Sequence, residues 1–313
     1  MNKLVRSLGR QLLRMDLQLK QAAFEFIEWC ALKNYLKSDR RPWRPGYYVY
    51  RNKYLAESIS SLSTLEIFLK SKSLPQGYGF RLDARVVEIP WVLARVASRS
   101  GRLLDAGSSL NYDFVLTAPL LSNKKITIVT LSPEATCLWK RGISYVFGDL
   151  RNLDFRDECF DTVVCISTIE HVGMDNSLYT GQKEDTPKDP QDFLLALGEL
   201  KRVLKKDGML YITFPFGKFE DHGWFQQFDA NLTDRLMEEF APSRFNETVF
   251  RYEPSGWQLS NRTSCAQGRG AAHRPEAARP PAAVARRGRP PRSGSVGWRP
   301  ECLPSTGPSR STA

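Results

Sequence analysis

The sequence predicts an α/β fold. A doubly wound, mostly parallel sheet is preceded by a helical extension and followed by a tail with no core of its own. Three observations carry this. Short aliphatic and β-branched runs alternate with helical spacing from about residue 85 to 217, the pattern of parallel strands joined by crossover helices. The first run, Leu103-Leu104, ends in Asp105-Ala-Gly107-Ser-Ser109, a turn of the kind that meets ligands beyond a strand's carboxyl end. After Leu259 almost no large aliphatic residues remain, so too little apolar area is left to offset chain entropy.

Residues 3 to about 37 read as one long helix. Leu4, Leu8, Leu12, Met15, Leu19, Ala22, Phe26 and Trp29 recur every three or four residues, away from Lys3, Arg6, Arg10, Arg14, Gln18 and Gln21. Packing on the body of the protein or on a second subunit is the first reading. A peripheral contact with an anionic membrane surface is the second. Ser38 to Asn52, with Pro42, Pro45 and Gly46, reads as an aromatic connection that wraps onto the body. A second helix is expected from about Tyr54 to Leu69, a turn-rich linker over Ser73 to Gly79, and a helix over Arg85 to Ser98 with Pro90 near its first turn.

The strands come next. Leu103-Leu104 is the first, and Lys125 to Leu131 the second, closed by Ser132-Pro133. Ser144 to Phe147 runs into Gly148-Asp149, and Phe160 to Ile166 into Ser167, Glu170 and His171. Leu194 to Leu204 has helical spacing and stops at Lys206-Asp207-Gly208. Met209 to Gly217 is the fifth strand, and an aromatic loop from Lys218 to Asp229 follows it. Asn231 to Phe240 reads as a helix and Asn246 to Tyr252 as a sixth strand. The chain therefore divides into an N-terminal helical extension, residues 1–80, an α/β domain, residues 81–259, and an Arg/Pro/Ala-rich tail expected to be disordered, residues 260–313.

Composition limits the function. The net charge is +11, but the tail from Asn261 holds ten Arg and two Glu with no Lys or Asp, a surplus of eight. The folded part is close to neutral, so the charge gives no reason to expect specific nucleic-acid binding there. Six cysteines without a close pair and three histidines support no metal site and fit free thiols in a reducing cytosol. No apolar run reaches the length of a membrane span. The chain is therefore expected to be cytoplasmic, with the membrane surface as its one peripheral alternative.

Residues from about 85 to 217 resemble the class I S-adenosylmethionine-dependent methyltransferases. The matching pieces are Leu103-Leu-Asp-Ala-Gly107, Leu131-Ser-Pro-Glu134, Gly148-Asp149, Phe160-Asp161, Ile169-Glu-His-Val172, and Glu199 through Arg202-Val-Leu-Lys205 to Asp207-Gly208, in the family's order. The resemblance implies a Rossmann-like sheet and S-adenosyl-L-methionine as cofactor. It places Asp105, Gly107 and Ser108 at the cofactor's amino-acid end, and Thr130 and Leu131 by its ribose. Asp149 and Leu150 would lie at its adenine, and Ser167 behind the methionine portion. Two positions depart from the family pattern: Ser109 stands where a second glycine is usual, and Thr130 where an acid usually binds the ribose. Glu134, one helical turn on, is placed to substitute. The family usually closes its sheet with a seventh, antiparallel strand, and nothing after Leu259 reads as one.

The reaction so implied is methyl transfer to a small-molecule or glycan-linked acceptor, with a hydroxyl as the nucleophile. The glycan preference rests on the aromatic loop and a loose likeness to methyltransferases of surface-polysaccharide pathways. His171 and His222, both expected at the sheet's carboxyl edge, are the candidate general bases; a structural role for each is the competing reading. A methyltransferase-shaped binding or scaffold protein is the alternative function. A nicotinamide dinucleotide enzyme is disfavoured, because no G-x-G-x-x-G follows the first strand.

Overall fold

The computed structural model describes residues 2–134, 136–181 and 189–268. Its centre is a five-stranded, wholly parallel sheet of β1 (Gly101–Ala106), β2 (Lys124–Thr130), β3 (Ser144–Phe147), β4 (Phe160–Ile166) and β5 (Leu204–Thr213). Their spatial order is β3-β2-β1-β4-β5. The chain moves outward from β1 through β2 to β3, then returns to the other side of β1 for β4 and β5. That reversal opens a crevice beyond the carboxyl ends of β1 and β4, where sheets of this type bind ligands.

Alternation along each strand explains the two layers around the sheet. Leu103, Val164 and Ile166 face one side and pack with Ile89, Val92, Leu93 and Val96 of helix α4 (Arg85–Val96). Leu104, Val163 and Cys165 face the other side and meet Phe193, Ala196, Leu197 and Leu200 of α7 (Phe193–Val203). Leu232 and Leu236 of α8 (Ala230–Phe240) complete that layer. Two single-turn helices, α5 (Asp113–Leu116) and α6 (Ser177–Thr180), lie in the loops after β1 and β4.

The extension begins with α1 (Asn2–Lys37) and continues through α2 (Tyr47–Ser60) and α3 (Leu62–Leu69). The single helix expected over 54–69 is thus two. It begins seven residues earlier, at Tyr47, and breaks at Ser61, whose side chain leaves the helix to cap Thr64 N–H. The aromatic connection does wrap onto the body: Tyr47 is fully buried in a third core with Tyr35, Phe68, Tyr78 and Val86.

Three expectations are corrected. β5 starts at Leu204, so Lys206-Asp207-Gly208 lies within the strand segment, next to an irregularity in its pairing with β4. Residues 249–253 do not join the sheet. They form β8 (Val249–Glu253), paired antiparallel with β9 (Gly256–Ser260) around a tight turn, and this hairpin packs on the helical extension through Phe250 and Trp257. The boundary placed after Leu259 falls inside β9, and a helical turn, α9 (Arg262–Cys265), follows. There the Gly268 carbonyl accepts from Lys218 N–H and from Gln227 Nε2. The remainder of the tail, residues 269–313, lies outside the described residues. β5 is an outer strand of the sheet, and its free edge borders a groove of about 2080 Å³ walled by α4, α8 and β8.

Candidate functional site

The β1 turn is built by its own acid. Asp105 is fully buried at the strand end, and its two oxygens accept the backbone N–H groups of Ser109, at 3.2 Å, and Leu110, at 2.8 Å. Burial pushes its carboxyl up to about 7, against the pull of those two amides. Gly107 has φ +111°, which L side chains rarely adopt, and a Cβ there would run into Thr168 beyond β4. Ser108 follows with φ +61°, and its hydroxyl is buried without a partner. Ser109 has a specific use here: its hydroxyl donates to the Ile166 carbonyl at 2.6 Å and ties the turn to the end of β4.

Thr130 ends β2 with its hydroxyl 3.2 Å from the Ser132 carbonyl and 3.5 Å from the Glu134 carboxylate. The Gly148 amide bonds the Thr130 carbonyl, which brings Gly148-Asp149 alongside. Leu131 is partly exposed and Leu150 buried beside this edge. Asp149 is already engaged: Arg151 contacts both its oxygens, at 3.1 Å and 2.6 Å, and reaches on to Asp192 at 2.6 Å. Burial opposes ionisation of Asp149, but the Arg151 guanidinium overcomes it and holds the carboxyl below its usual range.

The end of β4 makes a second polar knot. Ser167 has φ +40° and donates to Glu88 Oε1 at 2.5 Å, and Thr213 of β5 donates to the same oxygen at 2.8 Å. Arg85 bonds the other Glu88 oxygen at 3.1 Å and also the Ile166 carbonyl at 3.2 Å. α4 thus reaches the same strand ends as the turn residues. The helical extension does so too. Buried Arg51 of α2 pairs with Asp83 at 2.9 Å and donates to the Tyr112 hydroxyl at 3.0 Å, just beyond the β1 turn.

His171 sits one turn beyond β4 against Tyr179, Trp224 and Phe225, with ring centroids 5.1–5.8 Å away. Its Nδ1 is 2.8 Å from the Trp224 carbonyl. A carbonyl only accepts, so Nδ1 carries the proton and Nε2 is left with a lone pair. Burial lowers its pKa to about 4, outweighing the Trp224 bond. Glu170 beside it is almost wholly buried, with one oxygen unpartnered, and burial pushes its carboxyl up to about 8.

His222 lies elsewhere on the aromatic loop. The short strands β6 (Glu220–Asp221) and β7 (Gln226–Gln227) make a hairpin there. His222 stacks on Phe225 at 4.3 Å with Nε2 3.4 Å from Glu220. Both imidazoles therefore pack on Phe225. Ser167, Glu170 and His171 line the groove beside β5, and His222 does not. Asp105, Gly107, Ser108, Thr130, Asp149 and Leu150 lie outside that groove, along the carboxyl ends of β1, β2 and β3. The site thus has two sides that meet at the end of β4. Sequence reading missed Arg51, Glu88 and Thr213, whose partners are 32 to 125 residues away; no local pattern marks them.

Residues 104–212 match the family model of a methyltransferase domain. No protein of curated function matches the chain. Among solved structures, it is similar to the Burkholderia thailandensis 1,6-didemethyltoxoflavin-N1-methyltransferase, which was solved with S-adenosylhomocysteine bound. Identity is 16%, over 67% of this chain and 87% of that one, with TM-score 0.41. A SAM-dependent methyltransferase from Methanosarcina mazei has 16% identity over 54% of this chain and 92% of that one, with TM-score 0.37. The matched stretch runs from within β1 to within β5 and takes in the carboxyl ends of β1 to β4. Over those residues the chain carries a methyltransferase domain, for which S-adenosylmethionine is the methyl donor.

The donor set suits this cofactor. Gly107 leaves no side chain at the strand end, Ser108 holds an unpartnered hydroxyl, and the Glu134 carboxylate lies 3.5 Å from the Thr130 hydroxyl.

Proposed function

We propose that the chain methylates a hydroxyl on a small-molecule or glycan-linked acceptor, with His171 as the general base. The observation that carries this is the state of His171: neutral, with its tautomer fixed by Trp224, and on the groove side of the β4 end. Bound S-adenosylmethionine supplies an electrophilic methyl group. The protein's share is to hold the acceptor oxygen in line and receive its proton at His171 Nε2. Trp224, Phe225 and Tyr179 around that imidazole suit the apolar face of a sugar or a comparable ring.

On the cofactor side, Gly107 and Ser108 would receive the amino-acid end and Thr130 with Glu134 the ribose. Leu131 and Leu150 would flank the adenine. Because Arg151 occupies the Asp149 carboxylate, adenine contacts at that position fall to the backbone of 149–150.

Radiolabelled methyl transfer from S-adenosylmethionine to a panel of hydroxyl, amine and thiol acceptors tests the reading. Labelling of hydroxyl acceptors that falls steeply in His171→Asn, with cofactor affinity retained, is expected. Preference for amines or thiols, or full activity in His171→Asn, would overturn it.

A further inference from the structure

Helix α1 was expected to rest on the body of the protein or on a second subunit, or else on an anionic membrane surface; its large apolar side chains described between residues 19 and 29 lie open. Leu19, Phe24, Phe26, Ile27 and Trp29 are 53–68% exposed. Contact with the body is made at the helix's end, where Tyr35 enters the third core and the Ala31 carbonyl abuts Gly46. A helix of 36 residues spans about 54 Å. Helices in water draw most of their stability from a packed apolar face, and the described part of this face, at Leu19, Phe26 and Trp29, is exposed.

The spacing of that face says what covers it. Val5, Leu8, Leu12, Met15, Leu19, Ala22, Phe26 and Trp29 follow one another in strictly alternating steps of three and four. That is the 3.5-residue repeat of a coiled-coil seam, with Val5, Leu12, Leu19 and Phe26 at the first core position and Leu8, Met15, Ala22 and Trp29 at the second.

We propose that α1 pairs with α1 of a second copy of this chain as a parallel, in-register coiled coil. The positions flanking the seam permit it. Gln11, Gln18 and Glu25 on one flank would meet Asp16, Ala23 and Cys30 on the partner's other flank, so no like charges face each other. Arg6, Arg10, Arg14 and Lys20 fall at outer positions, where two copies do not bring them together. Phe24 and Ile27 lie outside the seam. Pairing would place two catalytic bodies at one end of a shared stalk.

Sedimentation equilibrium on the full chain under reducing conditions, from roughly 1 to 100 µM, reads the oligomeric state. A dimer of twice the 35.6 kDa chain mass is expected. Leu19→Arg with Phe26→Arg should weaken dimerisation by at least roughly 100-fold. Both residues are exposed in the single chain, so the variant should keep the thermal midpoint of the body and its affinity for S-adenosylmethionine. A wild-type monomer at the highest concentration, or a double variant as dimeric as wild type, would overturn the proposal. Flotation with vesicles of phosphatidylcholine and phosphatidylserine covers the other occupant: a chain that binds them as a monomer has a lipid-facing helix, and the coiled coil is refuted.

Discussion

Gly107→Ala probes the turn at the heart of the site. The backbone at residue 107 has φ +111°, and the added Cβ would overlap the Thr168 hydroxyl and methyl. Holding a non-glycine residue in so sparse a region costs about 1–3 kcal/mol. Pressing a methyl group into a filled space costs a further ~1–3 kcal/mol. The sum, roughly 2–6 kcal/mol, is a large share of a domain's net stability. It corresponds to a fall in thermal midpoint of very roughly 5–15 °C at this size. The substituted side chain meets Thr168 before it meets any ligand. The loss should therefore appear in the free protein, in urea unfolding without cofactor. Cofactor affinity should fall as well, by at least about tenfold, since 107–110 is the turn whose amides Asp105 orders. Thr168→Gly in the same chain removes the overlap and leaves the backbone strain, so the double-mutant cycle should show about 1–3 kcal/mol of favourable coupling. Additive costs, or a Gly107→Ala protein within about 0.5 kcal/mol of wild type, would refute the reasoning.

Glu134→Gln should weaken S-adenosylmethionine binding by about tenfold or more in calorimetry, because a charged acceptor beside Thr130 is worth roughly 1.5–3 kcal/mol. His171→Asn should lower kcat by about 10²–10⁴-fold with little change in cofactor affinity. The acid limb that His171 gives the wild-type rate should lie near pH 4, because burial holds its pKa there; a limb near 6.5 would mean an exposed imidazole. Glu170 should make the fold less stable as pH rises. Its pKa is raised from 4.5 to about 8 by burial, so the unfolded chain releases this proton first, and stability is lost progressively from about pH 4.5 up to pH 8. Glu170→Gln should flatten that slope in thermal melts between pH 5 and 8; an unchanged slope would assign it to other groups.

Much of this fold is written in local runs. Leu103-Leu104 and Val163 to Ile166 are apolar on both faces because both faces are covered, and such runs are legible without a partner. The turn at Gly107 was legible because positive φ selects glycine. The break between α2 and α3 was not, since helical spacing continues across Ser61 and only the cap of Thr64 reveals it. Residues 249–253 have the alternation of a strand, but alternation does not say which sheet a strand joins; Phe250 and Trp257 find the helical extension instead. Ser109 read as a missing glycine, and its bond to Ile166 across 57 residues shows a fastening in its place. Likewise, Asp149 carried the expected acid, and nothing local foretold that Arg151 would also reach Asp192.

The most direct measurement of the central claim is equilibrium binding of S-adenosylmethionine to the full chain by calorimetry, repeated with S-adenosylhomocysteine as competitor and with Glu134→Gln. One saturable site per chain, displaced by the competitor and weakened by the substitution, is the predicted result. No saturable binding, or a site whose affinity ignores Glu134, would contradict the placement of the cofactor along the ends of β1 and β2.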